Sequence, residues 1–298
     1  MLLLKLNFYQ GIPTGGYCLI QVLSVNCIKI LKMKTIFNFL LVMLCFTVAA
    51  NAQTAKTLKK VMEFVMPGET GGQDGTRGAS VAYNPVLKKY YAAFAGNIGY
   101  PMAVFNLKGE MISAEDLKAR ADLRGLWYNP ISKTLQGNCY NDGGWVNYKI
   151  DAKGMPAEPT NIIDSMHQPD EQSVGTFDGK TKTVYFINNK SVVAYDFKGK
   201  EGKSVELIIK KEEGDEEDAL PARYNNSTVI FTDIPKQEFG LFNTDAKKIE
   251  LYNRATGKYS TSWILPEDAP INTTFNFAYC NGLVWLFDMD TRTWSAYK

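Results

Sequence analysis

Histidine is nearly absent: His167 stands alone among 298 residues, and the five cysteines form no Cys-x-x-Cys pair. There is accordingly no Cys/His cluster to hold zinc and no Ser-His-Asp order of the hydrolase kind, so the acid–base repertoire is narrowed though not abolished. A glycine-rich phosphate loop is missing as well. Acid is missing from residues 1–52 altogether, whereas four lysines lie there, Lys5, Lys29, Lys32 and Lys34. Taking those four from the 33 basic residues leaves 29 against 31 acids, so the net charge of +2 becomes −2 once residues 1–52 are set aside. A near-neutral remainder lacks the basic face that a nucleic-acid partner wants.

Long apolar runs are also scarce. The run at residues 36–50 follows Met33-Lys34 and ends in Ala50-Asn51-Ala52. A basic residue, an apolar segment of that length and a small-x-small site describe a secretory signal peptide over residues 33–52. A membrane span would want roughly 20 apolar residues. Residues 1–32 read as an over-called start or an extension, the alternative being an amphipathic or anchoring segment built on residues 1–4 and 18–25. Residues 53–298 are then the mature domain, secreted to the periplasm or beyond the cell and without a membrane span. A lipid anchor at Cys45 does not fit, because Leu44 stands where a small residue is needed. Cys139 and Cys280 are the two cysteines outside the leader. They fall in units that are not neighbours in a five-unit ring, and a disulfide needs Cα atoms within about 7 Å, so two buried free thiols are expected.

What the chain does have is a turn that returns. Asn106-Leu107-Lys108-Gly109, Asp151-Ala152-Lys153-Gly154 and Asp196-Phe197-Lys198-Gly199 begin 45 residues apart, each after a short β-rich run. An Asx residue opening and a glycine closing suit a type I hairpin turn with a bulge. Around these turns a second pattern repeats: Arg77-Gly78 leads to Tyr83-Asn84-Pro85, Arg124-Gly125 leads to Tyr128-Asn129-Pro130, and Val174-Gly175 leads to Phe177-Asp178-Gly179. A longer fourth unit runs from Arg223 to Tyr259 and a compact fifth from Phe277 to Tyr297. A sheet hairpin every 45 residues counts blades, and the chain reads as an all-β, five-bladed β-propeller; six blades would need a unit that the spacing does not supply. Residues 58–66 are expected to be a strand that completes the last blade and closes the ring, removing an exposed sheet edge.

The Arg-Gly strands ending in Tyr-Asn-Pro, with their Lys-Gly hairpins, resemble NHL-type and gluconolactonase-type propellers, and Phe287-Asp288 with Thr291 and Trp294 resembles the end of a kelch unit. The resemblance implies a fold that hosts lactonases, lyases, lectins and scaffolds alike. For the gluconolactonase type it also implies a divalent cation, here calcium, on oxygen ligands drawn from Glu171, Asn225, Asn226, Asn272 and Asn276.

The connections leading into the innermost strands gather at one end of a propeller channel. Three of them carry an arginine, Arg77, Arg124 and Arg223, and three converging guanidinium forks would make an anion site. Alternatively each pairs with a local acid, Asp74, Asp122 or Asp218, and pins a loop. A third connection holds His167 beside Asp164, Asp170 and Glu171, a base among carboxylates or simply a polar loop. The acidic run at residues 212–218 lacks calcium-loop spacing and reads as a solvated connection. Tyr90, Tyr91, Trp127, Tyr128, Trp145 and Tyr148 read as filling between blades rather than as sugar platforms. The expected function is therefore a monomeric binding protein that takes a small anionic molecule, a sugar or a protein segment at the channel mouth through Arg77, Arg124, Asp170, Glu171 and Arg223. Two alternatives stand beside it: a metal-dependent lactonase-type hydrolase using Glu171, Asn225 and Asn272, and an interaction scaffold with no small-molecule site.

Overall fold

A computed structural model describes residues 55–69 and 74–298. The expected leader, the extension before it and the middle of the glycine-rich loop at residues 70–73 lie outside the described residues. Strands β1 (Lys56–Thr57) and β2 (Lys60–Val65) come first. Blade 1 holds β3 (Arg77–Asn84), β4 (Lys89–Ala95) and β5 (Met102–Phe105), and blade 2 holds β6 (Trp127–Asn129), β7 (Thr134–Asn138), β8 (Trp145–Tyr148) and β9 (Thr160–Ile163). Blade 3 holds β10 (Thr176–Asp178), β11 (Thr183–Asn188), β12 (Ser191–Asp196) and β13 (Glu201–Glu206). Blade 4 holds β14 (Ile230–Phe231), β15 (Phe239–Asn243), β16 (Lys248–Tyr252) and β17 (Tyr259–Ile264), and blade 5 holds β18 (Phe277–Cys280), β19 (Leu283–Asp288) and β20 (Thr293–Tyr297).

The five antiparallel sheets are the blades of a β-propeller. The outer place in blade 5 is filled by β2, antiparallel to β20 with Phe64 opposite Trp294, so the ring is closed by the N-terminal strand as expected. β1 then adds in parallel to β17 on the outer edge of blade 4. Strands inside a blade are covered on both faces by neighbouring blades. That explains why β4 (Lys-Tyr-Tyr-Ala-Ala-Phe-Ala) and β19 (Leu-Val-Trp-Leu-Phe-Asp) are nearly continuous apolar runs rather than alternating ones. Each seam carries its own apolar cluster; between blades 5 and 1 it includes Phe64, Tyr90, Phe105, Trp285 and Trp294.

The recurring turns follow the third strands of their blades, β5, β8 and β12. Asn106 Oδ1 accepts from the backbone N–H of Lys108 and Glu110, Asp151 Oδ1 from Lys153 and Met155, and Asp196 Oδ1 from Lys198 and Lys200. Gly154 closes its turn at φ +85°, where a side chain would be strained. The Arg-Gly pairs have a packing cause as well. A Cβ on Gly125 would lie 2.4 Å from Asn138 Oδ1 and 2.7 Å from the backbone of Gly175 in the next blade, because inner strands converge at the axis.

Blade 4 buries a carboxylate in its β16 strand. Glu250 Oε2 accepts from the hydroxyls of Tyr224 and Tyr252 at 2.8 and 2.7 Å, and Oε1 pairs with Lys248 at 2.9 Å. Burial pushes the Glu250 pKa up, but the hydrogen bonds from Tyr252, Lys248 and Tyr224, together with the Lys248 charge, outweigh it and hold the carboxyl below its ordinary range. A folded-state pKa below the unfolded one stabilises the fold above about pH 4.3, and that stabilisation fades as pH falls through the folded value. Glu250→Gln is expected to lower stability at neutral pH by about 1–2 kcal/mol, since charge-assisted bonds become neutral ones. It should also flatten the acid-side loss of stability in urea titrations taken at a series of pH values; an unchanged profile would remove Glu250 from that account.

Candidate functional site

The inner strands β3, β6, β10, β14 and β18 surround a cavity of about 720 Å³. Its wall runs from Ser80, Leu126, Val174 and Thr228 outward to Pro85, Pro130, Lys180, Asp233 and Gly282. The latter residues are all exposed and lie in the connections after the inner strands, so the cavity opens where those strands finish, toward the second strand of each blade. The wall includes Trp127 and Phe277, and every blade places an aromatic residue in it at the end of its inner strand: Tyr83, Tyr128, Phe177, Phe231 and Tyr279. Each is followed by the residue that opens the turn. Asn84, Asn129, Asp178 and Thr232 accept turn N–H groups with their side-chain oxygens, which fixes where the strand ends and so where the ring stands. Tyr83 is braced within blade 1, 4.8 Å by centroids from its cross-strand partner Tyr90, and at the seams Phe231 lies 5.5 Å from Tyr185 and Tyr279 5.8 Å from Trp263.

Charges at the opening are paired. Lys180 bridges to Asp233 at 2.7 Å, and Asp178 accepts from Arg254 at 2.9 Å. Cys280 lines the wall half-buried, a correction to the expectation of two buried thiols, while Cys139 is buried and both are free. Burial pushes the Cys280 thiol well up, so it remains a protonated, inert group rather than a nucleophile. Burial also raises the Tyr128 phenol, and it pushes Tyr279 up to about 12, so both keep their protons at neutral pH.

The opposite end of the channel is plugged. Arg124, 5% exposed, donates from Nη1 to Asp122 Oδ1 at 2.5 Å and from Nε to Gln172 Oε1 of the blade 3 connection at 3.0 Å. Its guanidinium stacks over Tyr140 at 4.6 Å and over Phe275 at 5.5 Å. Phe275 leads into blade 5, which is not adjacent to blade 2, so the contact crosses the axis.

The arginines expected to converge differ in their local surroundings. Arg223 is held in a two-bond fork by Asp215, with Asp215 rather than Asp218 as its acid, and a third bond goes to the Lys210 carbonyl. Arg77 is exposed and has no ion pair among the described residues; Asp74 pairs instead with Lys118 at 3.9 Å. Asp170 caps its own loop by accepting from the Gln172 N–H, and Glu171 is exposed beside Tyr140. His167 lies away from the axis with Nδ1 2.8 Å from the Gly199 carbonyl of a recurring turn. Asn225 is fully buried: its amide nitrogen donates to the carbonyls of Asn272 and Phe275, and its oxygen accepts from Ser227 and Thr228. Asn272 donates to Phe287 O, and Asn276 accepts from the Gly78 N–H, so these amides stitch blades together. No group of three or more His, Cys, Asp or Glu is arranged to hold a metal ion among the described residues. The aromatic at the end of each inner strand was missed as a site residue, although it directly precedes the turn residue in all five units.

Fold and cavity together define a five-bladed propeller with a central ligand-sized cavity. No family model and no curated protein matches the chain. Among solved structures it is similar to the crystal structure of glutaminyl cyclase from Myxococcus xanthus, with a TM-score of 0.51 and 8% identity over 82% of this chain and 97% of that one. At that identity the likeness is one of fold. No helix among the described residues is long and apolar enough to cross a membrane.

Proposed function

We propose that the protein is a binding propeller that takes a small, mainly uncharged ligand into the cavity where the inner strands finish. The observation that carries this reading is the circle of aromatic residues, at least one from each of five blades, around about 720 Å³ of space. A concave, largely apolar pocket of roughly 300–1,000 Å³ with a few polar groups is the usual form of a small-molecule site. At the opposite end Arg124 and Phe275 meet across the axis. Paired charges at the mouth favour a ligand that carries no net charge. Together with the leader expected over residues 33–52, this is an exported binding protein.

The test is a thermal-shift screen of the full chain against a neutral and anionic metabolite library, repeated with variants. A ligand that binds only the folded state raises the melting temperature. Tyr128→Ala and Phe177→Ala are each expected to weaken any stabilising compound by about 30-fold or more, as buried aromatic anchors do. Arg77→Ala is expected to leave it unchanged. A compound whose affinity survived both aromatic replacements and fell with Arg77→Ala would move the site to the other end of the channel.

A further inference from the structure

We propose that the ligand is a neutral glycan, a chain end or short oligosaccharide whose pyranose rings stack on the arc formed by Tyr279, Tyr83 and Tyr128 and hydrogen-bond to their hydroxyls. This rests on the cavity reading above and adds the chemical class of its occupant. The three tyrosines come from blades 5, 1 and 2, whose inner strands β18, β3 and β6 touch in that order, so they form one continuous side of the cavity. The other side, from blades 3 and 4, carries Phe177 and Phe231 in the corresponding places, which have no hydroxyl.

The hydroxyls are the second observation. Five tyrosine hydroxyls elsewhere in the fold have protein partners: Tyr90 with Asn281, Tyr91 with Gly154, Tyr148 with Ala119, Tyr224 and Tyr252 with Glu250. The hydroxyls of Tyr83, Tyr128 and Tyr279 have no hydrogen-bond partner among the described residues, although all three residues are partly buried. A phenol is both donor and acceptor, and so is every hydroxyl of a sugar. The electron-rich ring face attracts the slightly positive C–H edge of a pyranose, so one residue type supplies both the stacking and the polar contacts.

Charge decides against the competing classes. An anionic ligand would meet Lys180 already bridged to Asp233, and Arg254 already bonded to Asp178. Beyond the arc, Val86 and Ile131 stand 73% and 54% exposed on the turns of blades 1 and 2, next to Pro85 and Pro130 of the wall. They extend the same side outward as an apolar shelf along which the next sugar of a chain can lie.

The experiment is calorimetric titration of the full chain with neutral trisaccharides of glucose, N-acetylglucosamine, mannose and xylose, alongside a sulfated trisaccharide and neutral tripeptides. At least one neutral trisaccharide is expected to bind with an affinity insensitive to salt. Tyr83→Phe, Tyr128→Phe and Tyr279→Phe, which remove one oxygen each and keep the packing, are each expected to weaken it by about three- to tenfold. Glycan binding unchanged in all three variants would overturn the inference. So would binding of only the sulfated sugar or the peptides; if Tyr128→Ala and Phe177→Ala abolished that binding, the cavity reading would stand with a different occupant. Absence of any binding, or binding indifferent to Tyr128→Ala and Phe177→Ala, would overturn both.

Discussion

Phe64→Ala is expected to lower the unfolding free energy by about 3–5 kcal/mol, the usual range for emptying a buried phenylalanine site. Phe64 is 1% exposed and stacks on Phe105 at 4.1 Å, with Trp285 at 4.5 Å and Tyr90 at 5.9 Å. These partners belong to blades 1 and 5, so a single side chain from the N-terminal strand joins the first blade to the last. Aromatic walls on several sides cannot collapse into the space left behind, which puts the loss toward the upper part of that range. Val65, next along the same strand and 60% exposed, is the control: Val65→Ala is expected to stay within about 0.5 kcal/mol of the parent. Equilibrium unfolding in urea reads both. Equal small effects would mean that β2 lies on the ring without closing it.

The ring itself was legible because a propeller repeats its hairpins, and the Asx-to-Gly turns at Asn106, Asp151 and Asp196 have a stereochemical requirement that only a few residues meet. The closing strand was legible by elimination, since blade 5 ends at Tyr297 with its outer place still empty. Which end of the channel opens was not legible. A repeat marks both ends of each inner strand equally, and arginines at the start draw more attention than a tyrosine at the finish, which in a strand reads as core. Only three-dimensional packing separates the two, because what fills the far end, Phe275, is 151 residues from Arg124 in sequence. The same holds for Arg223, where the loop turns Asp215 toward the guanidinium and leaves Asp218 exposed. His167 had a polar neighbourhood in sequence, but the side chain is taken up by the Gly199 carbonyl.

Arg124→Ala is expected to cost about 2–4 kcal/mol of stability, because Asp122 and Gln172 lose the group that satisfies them; removing one member of a fully buried pair costs about 3–5 kcal/mol, and Asp122 is partly hydrated. The side-chain exposures are 5% for Arg124 and 24% for Asp122, so the pair sits between the buried and the surface case. Loss of the cation over Tyr140 and Phe275 adds about 0.5–2 kcal/mol within that total. Arg124→Lys should recover only part of it, since an ammonium cannot present the planar fork that reaches Asp122 and Gln172 together. The same variants separate the two accounts of this arginine. A plug predicts a large drop in urea midpoint with the affinity of the cavity ligand changed by less than about twofold, since the wall of the cavity begins at Leu126 and Val174, beyond the guanidinium. An anion site predicts the reverse, a nearly unchanged midpoint and lost affinity for carboxylate or phosphate compounds, because a cation that waits for a ligand contributes little to the fold without it. The bonds around Arg124 engage Nε and Nη1, and its ring contacts hold the guanidinium across the axis, whereas the phenols at the other end make no hydrogen bond among the described residues; that asymmetry is why the ligand is placed there.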